Sequence, residues 1–101
     1  MRVPPLITLL TDFGTQDTYA GQMRGAIAAI APVAIVIDLT HQIDPQNLLQ
    51  GACIWADAVA AFPPDTIHIG VVDPGVGSTR RAIAVEIGPW RFVAPDNGLL
   101  T

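Results

Sequence analysis

Three apolar runs set the limits on what this chain can fold into: Leu6–Leu10, Val33–Ile37 and Ile67–Val72. Each is short and nearly continuous rather than alternating, and rich in β-branched residues. That is the pattern of a strand buried on both faces. Helical spacing fills the intervals. Tyr19, Met23, Ile27 and Ile30 recur at steps of four, four and three, which predicts an amphipathic helix. Asp17 or Thr15 can cap its start, and Pro32 stops it. Asp44 and Pro45 fit the N-cap and first position of a second helix, whose buried face is expected from Leu48, Leu49, Ala52, Cys53, Ala56, Val59 and Ala60. Pro63-Pro64 ends it. Ala82–Ile87 and Trp90–Ala94 read as two further strands joined in a hairpin at Gly88-Pro89. The order β-α-β-α-β-β-β predicts an α/β layered domain, with parallel strands first and an antiparallel extension after them.

Each of the three runs closes on an aspartate: Asp12 after Thr11, Asp38, and Asp73. In open α/β sheets ligands bind outside the carboxyl ends of the parallel strands. The sequence therefore puts three carboxylates where a ligand is expected. Arg80 follows Asp73 by seven residues, across Pro74-Gly75-Val76-Gly77-Ser78-Thr79.

Bulk properties remove several classes. A chain of 101 residues is one domain at most. It carries five arginines, no lysine and a net charge of −4, so no basic stripe supports nucleic-acid binding. A single cysteine, Cys53, excludes an internal disulfide and fits a reducing cytoplasm; on an apolar helical stretch it reads as a small buried hydrophobe. No run approaches the ~20 apolar residues of a membrane span, and no signal-peptide pattern opens the chain. Half of the residues are hydrophobic, although a domain this small buries only roughly two-thirds of its unfolded surface. That surplus, and the apolar close at Leu99-Leu100-Thr101, predict a piece of a larger protein or a tight oligomer.

The motifs admit two readings apiece. Asp12-Phe13-Gly14 matches the metal-binding tripeptide of protein kinases, but no phosphate loop or catalytic loop precedes it. Asp12 either caps the following turn or engages both hydroxyls of a sugar diol, since a carboxylate has two acceptor oxygens. Asp17 either caps the first helix or points into the same crevice. Asp73 and Arg80 form either a structural ion pair or a pair that holds a water between them. Pro74, Gly75 and Gly77 allow a tight turn there, yet neither a Walker loop nor a G-x-G-x-x-G fingerprint is present. Asn97 sits in Pro95-Asp96-Asn97-Gly98, either a plain turn or an amide that recognises a polar ligand group. His68, between isoleucines, reads as packed in the sheet, and His41 as a loop residue near the crevice. No His, Cys and Asp cluster has metal-ligand spacing, so no metal is expected.

Taken together, Thr11-Asp12-Phe13-Gly14 with Asp17, Asp44-Pro45 with Gly51-Ala52, Val72 through Arg80, and Ala94 through Thr101 resemble the N-terminal domain of the S-adenosyl-L-methionine (SAM) hydroxide adenosyltransferases. These SAM hydrolases are related to the fluorinase and chlorinase. The four motifs occur in the family's order over nearly the whole chain. The resemblance implies a three-layer Rossmann-like domain with a mostly parallel sheet, placed in the cytoplasm, within a homo-oligomer that is a trimer in the family. It implies SAM as substrate and no separate cofactor. Water-derived hydroxide attacks ribose C5′ and gives adenosine and L-methionine.

In the family an Asp, an Arg and a His hold and activate the water, and Asp73 and Arg80 match the first two. Asp12 matches the carboxylate that grips the ribose hydroxyls, and Asp17 lies in the matching substrate loop. The fluorinase has tyrosine and threonine at the positions of Asp73 and Val76. A carboxylate there favours water over an anionic halide. The family's histidine and its C-terminal β-barrel domain fall beyond residue 101, so residues 1–101 are expected to carry half of a site and to be impaired alone. A non-catalytic SAM- or adenosine-binding module is the competing reading, and an inactive truncated product is the third.

Overall fold

The computed structural model describes residues 4–12, 14, 18–44, 47–72 and 82–95. The strands are β1 (Leu6–Thr11), β2 (Ile35–Thr40), β3 (Ile67–Val71), β4 (Ala82–Ile87) and β5 (Trp90–Pro95). Helix α1 spans Tyr19–Ile30, and α2 spans Leu48–Ala58 with a 3-10 turn, Val59–Ala61, after it. One sheet holds all five strands in the order β2-β1-β3-β5-β4. β1 pairs parallel with β2 and β3, β3 pairs parallel with β5, and β4 closes the edge antiparallel to β5. The hairpin turns at Gly88-Pro89, where Gly88 takes φ +57°, a value that suits glycine. The chain is thus the α/β domain the element order predicts.

Register assigns side chains to faces. Thr8 pairs with His68, and His68 with Phe92, so these share a face with Leu10. Helix α2 covers that face. Leu10, Ile43, Trp55, Val59, Val72, Phe92 and Ala94 form the core there, and Trp55 meets Phe92 edge-on at 5.1 Å. The other face carries Ile7, Leu9 and Thr11 with Val36 and Asp38. Helix α1 lies on that side, since Arg24 reaches Asp38 and its neighbours line a cleft with Val36. Right-handed crossovers account for the split. One connection leads from β1 out to β2, and the next returns across β1 to β3.

Several local expectations shift. The second apolar run enters the sheet late, because a turn closed by the Ala34 N–H to Ala31 O bond (3.0 Å) occupies Pro32 and Val33. Asp38 therefore lies inside β2, beside Leu9, and not at its end. Helix α2 starts after Asn47 rather than Asp44. The Asn47 side chain accepts the Gln50 N–H at 3.0 Å, and Gln50 Oε1 accepts the Asp44 N–H at 2.7 Å. The buried stripe of α2 is Gly51 and Trp55, continued by Val59 of the 3-10 turn and flanked by partly buried Leu48 and Ala52. The adjacent stripe, with Leu49 (75% exposed) and Cys53, faces outward. Cys53 is thus no core residue; at 3.6 residues per turn the indole of Trp55, not the small side chains, decides which side packs. In α1 the spacing is right but burial is shallow. Met23 and Ile27 are half-buried, while Tyr19 and Ile30 (86% exposed) are open.

His68 is wholly buried, as its flanking isoleucines suggest. Nδ1 lies 2.6 Å from Thr8 Oγ1, and Nε2 has no hydrogen-bond partner among the described residues. Phe62 and Phe92 enclose the ring. Burial pushes the imidazole pKa below its ordinary 6.5. The unfolded chain therefore binds a proton near pH 6.5 that the fold refuses. His68's contribution to stability is complete above that pH and is lost as the pH falls toward the lower, folded value. Denaturant melts between about pH 7 and pH 5 are expected to show His68→Leu losing less stability on acidification than the wild type, by up to about 1.4 kcal/mol per pH unit. An identical pH slope in both proteins would contradict a neutral buried imidazole.

Candidate functional site

A strand order of 2-1-3 has a consequence for ligands. With β1 between β2 and β3, the neighbouring carboxyl ends of β1 and β3 form a topological switch point, the place where open α/β sheets take their ligands. Asp12 stands at that point. It is the first residue after β1, half-buried, and its N–H donates to Val71 O at the end of β3 (3.3 Å). The residue type, a two-acceptor carboxylate, and the position, a switch point, agree.

The segment around Asp12 is tied down on both sides. Thr11 O accepts the Ile43 N–H at 3.4 Å, and the Gly14 N–H donates to His41 O at 2.7 Å. Gly14 takes φ +74°, a left-handed value that suits glycine. Behind this loop runs a line of polar side chains. Arg24 Nη1 contacts Asp38 Oδ1 at 3.1 Å, His41 Nε2 contacts the same oxygen at 2.9 Å, and His41 Nδ1 meets Thr11 Oγ1 at 2.6 Å. Thr11 and His41 are buried, and Asp38 is half open to solvent.

Burial raises the pKa of Asp38, but the hydrogen bond from His41 and the positive charge of Arg24 outweigh it, so the carboxyl is held below its ordinary 3.8. An ionised carboxylate only accepts, which assigns a proton to His41 Nε2. In the neutral ring Nδ1 then accepts the Thr11 hydroxyl hydrogen.

Of the residues expected at the site, Asp12 lies where the carboxyl ends of β1 and β3 meet. Asp17, Asp73, Arg80 and Asn97 lie outside the described residues. Asp38 sits within β2 and not at the strand end that its place in the run suggested. Its carboxylate is engaged by Arg24 and His41. His41 follows β2 in a bend, as a loop residue, yet it is buried and bonded at both ring nitrogens. The sequence reading missed this line of contacts. Its one local signal is the spacing Asp38-x-x-His41, while the partners Arg24 and Thr11 come from other elements. Among the described residues no group of three His, Cys, Asp or Glu side chains is arranged to hold a metal ion, and no helix is long and apolar enough to cross a membrane.

A mostly parallel sheet with one antiparallel edge pair and helices packed on it defines an α/β domain. The chain belongs to the SAM hydroxide adenosyltransferase N-terminal domain family, whose profile matches residues 7–101. It is 44% identical over 100 residues to the (R)-S-adenosyl-L-methionine hydrolase of Salinispora arenicola, a match covering 99% of this chain and 38% of that protein. The fluorinase of Actinopolyspora mzabensis is more distant, 30% identical over 120 residues, covering 96% of this chain and 40% of the relative. Among solved structures, an uncharacterized conserved protein from Thermotoga maritima superimposes with a TM-score of 0.89 at 42% identity, covering 94% of this chain and 37% of that one. The chain therefore spans about two-fifths of the length of the proteins it matches.

Proposed function

We propose that this chain is the substrate-gripping α/β domain of a SAM hydrolase. The observation that carries the reading is the placement of Asp12 at the β1–β3 switch point in a member of this family. In the reaction, an oxygen of water bonds to ribose C5′ as the C5′–S bond breaks. The electron pair goes to sulfur, methionine leaves as a neutral thioether, and the water gives up a proton. No acid has to protonate such a leaving group, and SAM is the substrate, so no cofactor is needed. The protein's task is to align the water with the C5′–S axis and to exclude its competitors.

Asp12 takes the ribose 2′- and 3′-hydroxyls, with Asp17 and Asn97 as further substrate contacts. Asp73 and Arg80 hold the water. A carboxylate at residue 73 disfavours halide as nucleophile. His41 and His68, the histidines within residues 1–101, are bonded to Asp38 and Thr11 and to Thr8, respectively. Neither supplies the family's third catalytic group, so residues 1–101 bind substrate better than they turn it over. Exposed Ile30, Val33 and Ile35 support association into a homo-oligomer, a trimer in the family. A single cysteine accords with the cytoplasm, where SAM is available.

Calorimetric titration of the 101-residue chain with adenosine and with SAM is expected to saturate, and Asp12→Ala to weaken both by about tenfold or more. Adenosine release from SAM, followed by chromatography, is expected to stay slow. Absence of saturable binding overturns the proposal, and fast turnover lost in Asp73→Ala overturns the half-site reading. Light scattering is expected to give a mass above that of one chain; a monomer at high concentration refutes the association.

A further inference from the structure

We infer that His41 is a positioning residue for Asp12, one that sets how strongly the site prefers a ribose with both hydroxyls. The inference rests on the ribose reading of Asp12. Asp12 lies on a loop, and a loop carboxylate is only as selective as its backbone is fixed. His41 fixes it from both sides. Before Asp12, the His41 ring is bonded to Thr11 Oγ1; after Asp12, the His41 carbonyl accepts the Gly14 N–H. The Thr11 carbonyl accepts the Ile43 N–H, so the same two-sided staple continues along the backbone.

The ring is itself oriented from behind. Asp38 of β2 holds Nε2, and Arg24 of α1 holds Asp38. Three elements thereby converge on one imidazole whose two ring nitrogens are both engaged. A histidine that only filled space would need no charged partner on its ring. The arrangement matches the role in which a remote group orients a binding residue through a fixed hydrogen-bonded intermediary.

The test compares adenosine with 2′,3′-dideoxyadenosine, which lacks the diol. Dissociation constants are measured on the 101-residue chain for the wild type, Thr11→Val, Thr11→Ser and Asp38→Ala. The wild type is expected to bind adenosine at least about tenfold tighter than the dideoxynucleoside. Thr11→Val, which removes the hydroxyl at nearly constant volume, and Asp38→Ala are expected to reduce that preference to about threefold or less, with dideoxynucleoside affinity within about twofold of wild type. Thr11→Ser restores the hydroxyl and is expected to keep the preference.

An unchanged preference in Thr11→Val and Asp38→Ala overturns the positioning role, as does an equal loss for both nucleosides, which marks a merely structural contact. No preference in the wild type instead refutes the ribose reading of Asp12, and this inference with it. Where circular dichroism shows Thr11→Val unfolded, Asp38→Ala decides, because that side chain is 44% exposed and its truncation leaves the core intact.

Discussion

β1 is the strand on which the rest of the domain depends. It pairs on both sides, with β2 and with β3, in parallel register. Parallel neighbours on both sides force two crossovers in opposite directions, and right-handedness then sends the two helices to opposite faces. From that constraint follow the layers, the core between α2 and the sheet, and the meeting of the carboxyl ends of β1 and β3 at Asp12. The β1 residues Leu9, Leu10, Thr8 and Thr11 are all fully buried. A strand this enclosed tolerates polar side chains only with partners, and its two threonines have them. Thr8 meets His68, and Thr11 meets His41.

These two histidines show how environment divides one residue type into two roles. His68 is enclosed by aromatic rings, with one ring nitrogen unpartnered among the described residues, and burial keeps it neutral. His41 bridges a hydroxyl and a carboxylate just after β2. The first belongs to the core, and the second ties the end of β1 to β2. The ion pair that anchors His41 joins half-exposed Arg24 and Asp38, so its value lies in orientation more than in stability.

Much of this was legible in the sequence, and the gaps have physical causes. Continuous β-branched runs between turn residues identify the parallel strands, and Gly88-Pro89 identifies the hairpin, because these signals are local; the expected burial on both faces holds for central β1 and fails for β2, an edge strand whose Ile35 and Ile37 are exposed. The place of Asp12 at the carboxyl end of β1 was legible because a strand end is a position in sequence as well as in space. The side of α2 that packs was not. Leu48 and Leu49 are equally apolar, and what selects the stripe is the fit of Trp55 against Phe92, a residue from β5. The depth of α1 was not legible either, since spacing reveals a face and not what lies opposite it. The Arg24–Asp38–His41–Thr11 line joins three elements through register. A run ending on aspartate gave no sign that Asp38 was engaged from behind.

The central claim is that the carboxyl ends of β1 and β3 receive the ribose through Asp12. A crystal structure of the chain with adenosine tests it most directly. The account predicts both ribose hydroxyls within about 2.5–3.2 Å of the Asp12 carboxylate oxygens. Adenosine ordered instead in the cleft between α1 and Val36, or in the groove beside Pro63, Pro64 and Arg91 at the other end of the sheet, would contradict it.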